Sequence, residues 1–192
     1  MGINHQGIIM KKLALSIVSL LSLATVNSHA TNIAIDMGKD VFSVELNSKT
    51  VSQDNEFSLA MLHADDLHLY SLKGLVTGVL EQNNNFEAAL GGKAYLINYF
   101  NENMQGLALG GELKYKVPMN EKIELHGSVY YAPSPTLTDD LGYLTDLTIT
   151  ASYKLLHNGI VYLNYRNIQA EHESGTKLKM DNGFNLGLKF LF

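Results

Sequence analysis

Residues 184–192, FNLGLKFLF, decide the fold of this chain. Apolar side chains occupy every second position, and Asn185, Gly187 and Lys189 lie between them. A period of two is typical of a strand with one apolar and one polar face. An apolar strand at the edge of a soluble sheet promotes aggregation, whereas in a closed membrane barrel it pairs with the first strand and contacts lipid. We therefore predict a C-terminal membrane-insertion strand whose lipid-facing residues are Phe184, Leu186, Leu188, Phe190 and Phe192.

The N-terminal 30 residues have the pattern of an export signal. Lys11 and Lys12 precede an apolar run over residues 13–24, and Ser28 and Ala30 supply the small residues of a cleavage site. The run is shorter than the roughly 20 residues that a membrane-spanning helix needs. We predict a signal peptide over residues 1–30, translation from Met10, and a mature domain over residues 31–192.

Composition narrows the function classes. The chain has 192 residues and no cysteine, which excludes disulfides and thiolate metal sites. Loss of the signal peptide removes two lysines from 14 basic and 19 acidic residues, so the mature charge is 12 − 19 = −7. Without a basic patch, nucleic acid is excluded as a partner. No motif predicts a cofactor.

Period-two segments separated by turn residues recur along the mature chain. They predict an all-β fold, an antiparallel up-and-down transmembrane β-barrel. An even number of strands returns both termini to the periplasm, so we expect ten strands, with eight as the alternative. A secreted soluble sandwich or lipocalin-like barrel would have the same period. The segments are 33–37, 41–46, 56–63, 67–80, 86–97, 105–117, 121–133, 145–156, 161–166 and 184–192.

The connections also favour a membrane barrel. Tight turns are predicted at 82–85, 118–121 and 157–159, and longer, acid-rich loops at 101–103, 133–143 and 171–176. Short turns at one end and longer loops at the other are typical of outer-membrane barrels. A girdle of aromatic residues at the strand ends is expected from Tyr99, Phe100, Tyr115, Tyr131, Tyr143, Tyr165 and Phe192.

Long charged side chains lie on the polar faces of the strands, where a narrow lumen would let them pair. These inward-facing side chains predict a cationic interior that favours anions. The six cations are Lys93, Lys114, Lys116, Lys154, Arg166 and Lys189, and the three anions are Glu87, Glu112 and Glu124. Because side chains fill a barrel of eight to ten strands, we expect a plugged barrel with at best a narrow pore. The predicted lumen network is Glu87, Lys93, Tyr95, Glu112, Lys114, Glu124, His126, Lys154, Arg166 and Lys189.

Two polar clusters are candidates for chemistry. His63, Asp65, Asp66 and His68 surround one strand connection and are weak candidates for a metal site or a hydrolytic site on the rim. The simpler interpretation is a solvated turn, since no strong ligand spacing is present. The pair at 139–140 in the longest loop is interpreted in the same way. We predict no catalytic residues.

Several motifs resemble the YfaZ family over residues 36–192. They are Gly91-Gly92-Lys93-Ala94-Tyr95, Leu107-Ala108-Leu109-Gly110-Gly111-Glu112, Tyr130-Tyr131-Ala132-Pro133-Ser134, Tyr153-Lys154-Leu155-Leu156, Tyr162-Leu163-Asn164-Tyr165-Arg166 and Gly187-Leu188-Lys189-Phe190-Leu191-Phe192. The resemblance implies a porin-like outer-membrane barrel of Gram-negative bacteria. It brings no established catalytic residues.

The sequence therefore predicts an outer-membrane β-barrel protein of a structural, surface-interaction or porin-like type that is not an enzyme. A narrow, anion-leaning solute channel and a rim hydrolase are the alternatives. The expected partners are outer-membrane lipid, lipopolysaccharide and the barrel-assembly machinery, which would engage the C-terminal strand. We expect a monomer.

Overall fold

The computed structural model describes residues 31–49, 54–79, 85–100, 102–138 and 141–192. Over these residues the chain forms ten strands, and pairing of the first strand with the last closes an antiparallel barrel. All the remaining pairings join strands that are consecutive in the sequence, so the prediction of a ten-strand up-and-down barrel is confirmed. The strands are β1 (Thr31–Met37), β2 (Val41–Lys49), β3 (Asn55–Ala64), β4 (Leu67–Val79), β5 (Phe86–Tyr99), β6 (Glu102–Lys116), β7 (Ile123–Pro133), β8 (Leu141–Leu156), β9 (Gly159–His172) and β10 (Lys177–Leu191).

Three sequence predictions concern residues outside the described ranges. They are the signal peptide at 1–30, most of the turn at 82–85, and the acid pair at 139–140. None of the described residues belongs to a helix that is long and apolar enough to cross a membrane.

The outer surface of the barrel is apolar. Leu109, at the centre of β6, is 77% exposed, and Phe184 and Leu186 of β10 are 68% and 63% exposed. A continuous exposed apolar surface of this kind requires an apolar environment. Strands can span lipid only when they form a closed barrel, because every backbone polar group must then be paired. The outer face is therefore the lipid-contacting face.

Aromatic residues pair on this outer face. Tyr131 and Tyr143 stack with ring centroids 6.3 Å apart, and Phe86 stacks on Tyr115 at 4.5 Å. Tyr99 was predicted in the aromatic girdle, and that assignment is wrong. Tyr99 packs against the buried interior cluster, because it has the same parity along β5 as the buried Ile97.

The predicted asymmetry of loop lengths is also wrong. At the end of the barrel that holds the two termini, the four connections have five, six, six and two residues. The opposite end is named here the loop end, and its five connections have three, two, two, seven and four residues. The strands extend into segments predicted as loops. The β8–β9 ladder reaches from Leu156 to Leu141, which pairs with His172.

The interior has two chemically distinct halves. Its half near the loop end is filled by fully buried apolar side chains, named here the plug. Leu137, which follows a short 3₁₀ helix (Ser134–Thr136), packs against these residues and bridges to Gly106 of β6. The plug consists of Leu62, Leu67, Leu69, Ile97, Met104, Ala132, Leu141, Leu144, Ile168, Ala170 and Met180.

Candidate functional site in the barrel lumen

The half of the lumen near the termini contains a polar cavity of about 380 Å³. Its wall runs from Asn32 and Lys49 at the terminal ends of β1 and β2 to Leu69 and Ile168, where the plug begins. The alternation of each strand delivers its polar residues to this wall. The cavity is thus polar along its length and closed by apolar side chains at its inner end.

Glu112 of β6 is the centre of one buried polar cluster. Its carboxylate accepts hydrogen bonds from Lys73 Nζ at 2.7 Å and from Tyr130 Oη at 2.8 Å. His126 Nε2 lies 3.0 Å from the other carboxylate oxygen. Lys73 also contacts Glu45 at 3.4 Å. These side chains come from strands β2, β4, β6 and β7, so the cluster ties together opposite parts of the wall.

Asp146 of β8 is the centre of a second cluster. It accepts hydrogen bonds from Lys93 Nζ at 2.7 Å and from Tyr95 Oη at 2.8 Å. The same ammonium group lies 5.5 Å from the ring centroid of Tyr130, within the range of a cation–π interaction. The two clusters are therefore adjacent, and each buried charge has a partner of opposite sign.

A third cluster lies at the seam where the barrel closes. Arg166 of β9 donates to Asp36 of β1 at 2.7 Å and to Ser43 of β2 at 3.3 Å. Tyr162 Oη donates to the other oxygen of Asp36 at 3.1 Å. Asp181 of β10 lies 3.5 Å from Arg166, and its Oδ2 accepts no hydrogen bond from the described residues. The cluster links the first strands to the last.

A fourth group of ion pairs lies nearer the termini. Lys114 contacts Glu56 at 3.0 Å and Glu87 at 3.4 Å, and Lys49 contacts Glu87 at 3.2 Å. Lys114 and Glu56 are more exposed than Lys73 and Glu112, so solvent screens the Lys114–Glu56 pair more strongly.

Two glycines make room for the tyrosines of these clusters. Gly187 is the cross-strand partner of Tyr162, and a methyl group at Gly187 would overlap the tyrosine ring. Gly110 pairs with Tyr130 in the same way. The absence of a side chain lets each ring lie flat across the neighbouring strand and direct its hydroxyl to a carboxylate.

The structure places the predicted lumen residues on the inner face. All of them except Tyr95 and Lys154 line the cavity; Tyr95 is buried beside Asp146, and Lys154 has inward parity near the terminal end of β8. Six charged lining residues were absent from the predicted network. Their parity within the predicted strands could have identified five of them, whereas Lys49 lies beyond the strand predicted at 41–46. The six residues are Asp36, Glu45, Lys49, Glu56, Lys73 and Asp146.

The predicted cationic interior is wrong. Among the described residues, the cavity wall carries as many acids as bases, because four of the six missed residues are acids. The excess of cations on which the anion-leaning channel alternative was based is therefore not present in the described wall. The cations are Lys49, Lys73, Lys93, Lys114, Lys116, Arg166 and Lys189, and the anions are Asp36, Glu45, Glu56, Glu87, Glu112, Glu124 and Asp146.

The rim cluster lies apart from the lumen. His63 and His68 face each other across the β3–β4 hairpin, and Asp65 and Asp66 form the exposed turn between these strands. The described residues contain no group of three or more His, Cys, Asp or Glu side chains that could hold a metal ion. No contact in the structure supports the hydrolase alternative, since His63 and His68 contact each other rather than a nucleophile.

A closed antiparallel barrel with an apolar exterior and an ion-paired interior defines a transmembrane β-barrel of the outer-membrane type. The family model described as YfaZ precursor matches residues 10–192. The chain therefore belongs to the YfaZ family, as its motifs predicted, and it is a transmembrane β-barrel protein of the outer membrane.

Comparison with other proteins gives only distant similarity in fold. No curated protein sequence matches the chain. Among solved structures, a KdgM porin is 11% identical with a TM-score of 0.47, and the match covers 85% of this chain and 99% of the porin. The outer membrane channel DcaP of Acinetobacter baumannii is 12% identical with a TM-score of 0.43, and the match covers 82% of this chain and 54% of the channel.

Proposed function

We propose that the protein is a sealed barrel whose lumen does not conduct solutes in this conformation, and that it serves the outer membrane as a structural or surface-interaction component. The observation that carries the proposal is the plug. Leu67 and Leu144, from opposite sides of the barrel, are 1% and 0% exposed, so the packing around them is closed to water. Apolar constrictions stop ions even where a water molecule could fit, because ions lose their hydration there.

The ion pairs of the lumen support the same function. Each strong pair joins strands that are distant in sequence, as Arg166 and Asp36 do across the closing seam. Breaking such a buried pair is costly, so the pairs hold the wall in one arrangement. Under this proposal they stabilise the barrel and have no catalytic role.

A solute channel is the second candidate, and the polar cavity favours it. Among the residues that the structure describes, the plug alone separates this cavity from the loop end, so displacement of a few apolar side chains would complete a pore. With equal numbers of opposite charges along the wall, that pore would not select strongly for anions.

Planar-bilayer recording separates the two candidates. Wild-type barrel, folded in detergent and reconstituted, is expected to give no steady channels. The double variant Leu67→Ala/Leu144→Ala thins the plug and is expected to conduct. Leu109→Ala, which shortens an outward-facing leucine, is the control and should stay silent. Steady conductance of the wild-type barrel would overturn the sealed-barrel proposal and favour the channel.

The proposal extends to assembly. The apolar row on the outer face of β10 would be recognised by the barrel-assembly machinery, and the loop end would contact lipopolysaccharide. A single chain closes the barrel by pairing β1 with β10, which leaves no open edge and supports a monomer.

A further inference from the structure

Two histidines form a pair outside the lumen that the sealed-barrel function does not use. His63 of β3 and His68 of β4 are direct cross-strand partners beside a two-residue turn. Their Nδ1 atoms lie 3.0 Å apart, whereas their ring centroids are 4.5 Å apart. The rings are thus closest at their Nδ1 edges. Both residues have the parity of the outward-facing Phe57 and Tyr70, so the pair lies on the outer face at the loop end.

Two imidazole nitrogens at this separation can share a single proton or bind a single metal ion. The rings are stacked with an interplanar angle of 24°, so both nitrogens can reach one ion, with metal–nitrogen bonds of about 2.0–2.1 Å, only after the rings turn about their Cβ–Cγ bonds. Cu²⁺ and Ni²⁺ bind imidazole nitrogen with high affinity among the first-row divalent ions, and both accept two adjacent imidazoles in square-planar or tetragonal coordination. We propose that His63 and His68 form a two-histidine site for Cu²⁺ or Ni²⁺ on the rim of the barrel.

The hairpin holds this pair in position. His63 and His68 lie between Phe42 of β2 and Asn98 of β5 in the same cross-strand row. The amide of Asn98 donates to Asn103 at 2.8 Å, which fixes the neighbouring side of the row. Because adjacent ladder positions fix both backbones, only the two side chains must turn when a metal ion binds.

The site is open on its outer side. No third His, Cys, Asp or Glu of the described residues completes a metal-binding group around the pair. Water would fill the remaining positions, so binding should be reversible and should allow an external ligand to join. Protonated imidazole cannot bind a metal ion, so the affinity should fall in acid.

Copper titration tests the site. The mature chain, without a polyhistidine tag and folded in detergent, is titrated with Cu²⁺ and followed by calorimetry and electron paramagnetic resonance. We expect a site with two nitrogen ligands from imidazole and an affinity that falls at least tenfold in His63→Ala and in His68→Ala. The control is His157→Ala, which removes an exposed histidine from the turn at the terminal end and should leave the affinity unchanged.

Anomalous migration of unboiled samples on gels shows that each variant is folded. Equal Cu²⁺ affinity in wild type and the double variant His63→Ala/His68→Ala would overturn the proposal. So would a spectrum that lacks coupling to two nitrogens, because the pair would then be a hydrogen-bonded contact only. Ni²⁺ is titrated in parallel and should lose affinity in the same two single variants.

Discussion

Glu112 shows how much of the lumen depends on single carboxylates. It is 6% exposed and contacts Lys73, Tyr130 and His126 at 2.7, 2.8 and 3.0 Å. Without it, Lys73 would retain only Glu45, at 3.4 Å. A buried ammonium group with one long contact is poorly compensated for the water it has lost.

We therefore predict that Glu112→Ala lowers the free energy of unfolding by about 3–5 kcal/mol, the cost of leaving a buried charge without its partner. The measurement is denaturant unfolding of the folded barrel in detergent, monitored by circular dichroism or by gel mobility. Glu124→Ala is the matched control, because Glu124 lines the same cavity but forms no ion pair within 4.0 Å with any residue that the structure describes. Similar losses in the two variants would contradict this account of the cluster.

Gly187 illustrates a different dependence on a single residue. A methyl group there would overlap the ring of Tyr162, and that ring cannot move without disturbing its bond to Asp36. We predict that Gly187→Ala costs about 1–3 kcal/mol, as overpacking does. In the same strand, a methyl group at Gly183 would lie more than 4 Å from every described residue other than its two chain neighbours, so Gly183→Ala should change stability little. Unfolding midpoints of the two variants provide the comparison.

At the scale of the element, β6 demonstrates the two faces of a barrel strand. Leu109 is outward and 77% exposed, while Ala108 and Glu112 are inward and buried. Charge on a lipid-facing site is costly near the bilayer midplane and cheap near the interface. The cost of a charge along β6 therefore reports the depth of each residue in the membrane.

Leu109→Arg, at the centre of β6, is predicted to lose about 2–4 kcal/mol of unfolding free energy in a lipid bilayer. Met119 lies in the turn after β6 and is 97% exposed, so Met119→Arg should have little effect. Equilibrium unfolding from lipid vesicles gives both values. If the arginine at position 109 proved harmless, the outward face would not contact lipid.

At the scale of the whole molecule, the lumen is electrically balanced. Acidic and basic residues are equal in number on the described wall, and most of them form ion pairs, so no field of a single sign runs along the cavity. Selective passage of anions would require such a field or an unpaired ring of cations. A barrel opened at the plug should therefore discriminate little between cations and anions.

We predict that the Leu67→Ala/Leu144→Ala variant, in a gradient of potassium chloride, reverses its current close to zero potential. Removing one anion, as in Glu45→Gln within the same variant, should shift the reversal potential toward that of chloride. A strong preference for one ion before that change would contradict the balance of the wall.

The sequence by itself determined the strands and their faces. Parity along one strand is a local property, so FNLGLKFLF at 184–192 already separated its lipid-facing residues from Lys189 and Asn185. The even number of strands followed from placing both termini in the periplasm, which favoured ten of the period-two segments. The alternation of side chains along the predicted strands also placed Asp36 and Asp146 inward, although the predicted network omitted both.

Only the tertiary structure decided what meets inside the barrel. Arg166 and Asp36 are 130 residues apart, and their contact depends on the closure of β1 on β10. Likewise, the alternation of side chains shows that Leu67 and Leu144 point inward, but it does not give the position of either residue along the barrel axis. Register sets that position for every strand at once, and it gathers the apolar residues into a plug and the charges into pairs. Side-chain period is local, whereas register is a property of the closed sheet.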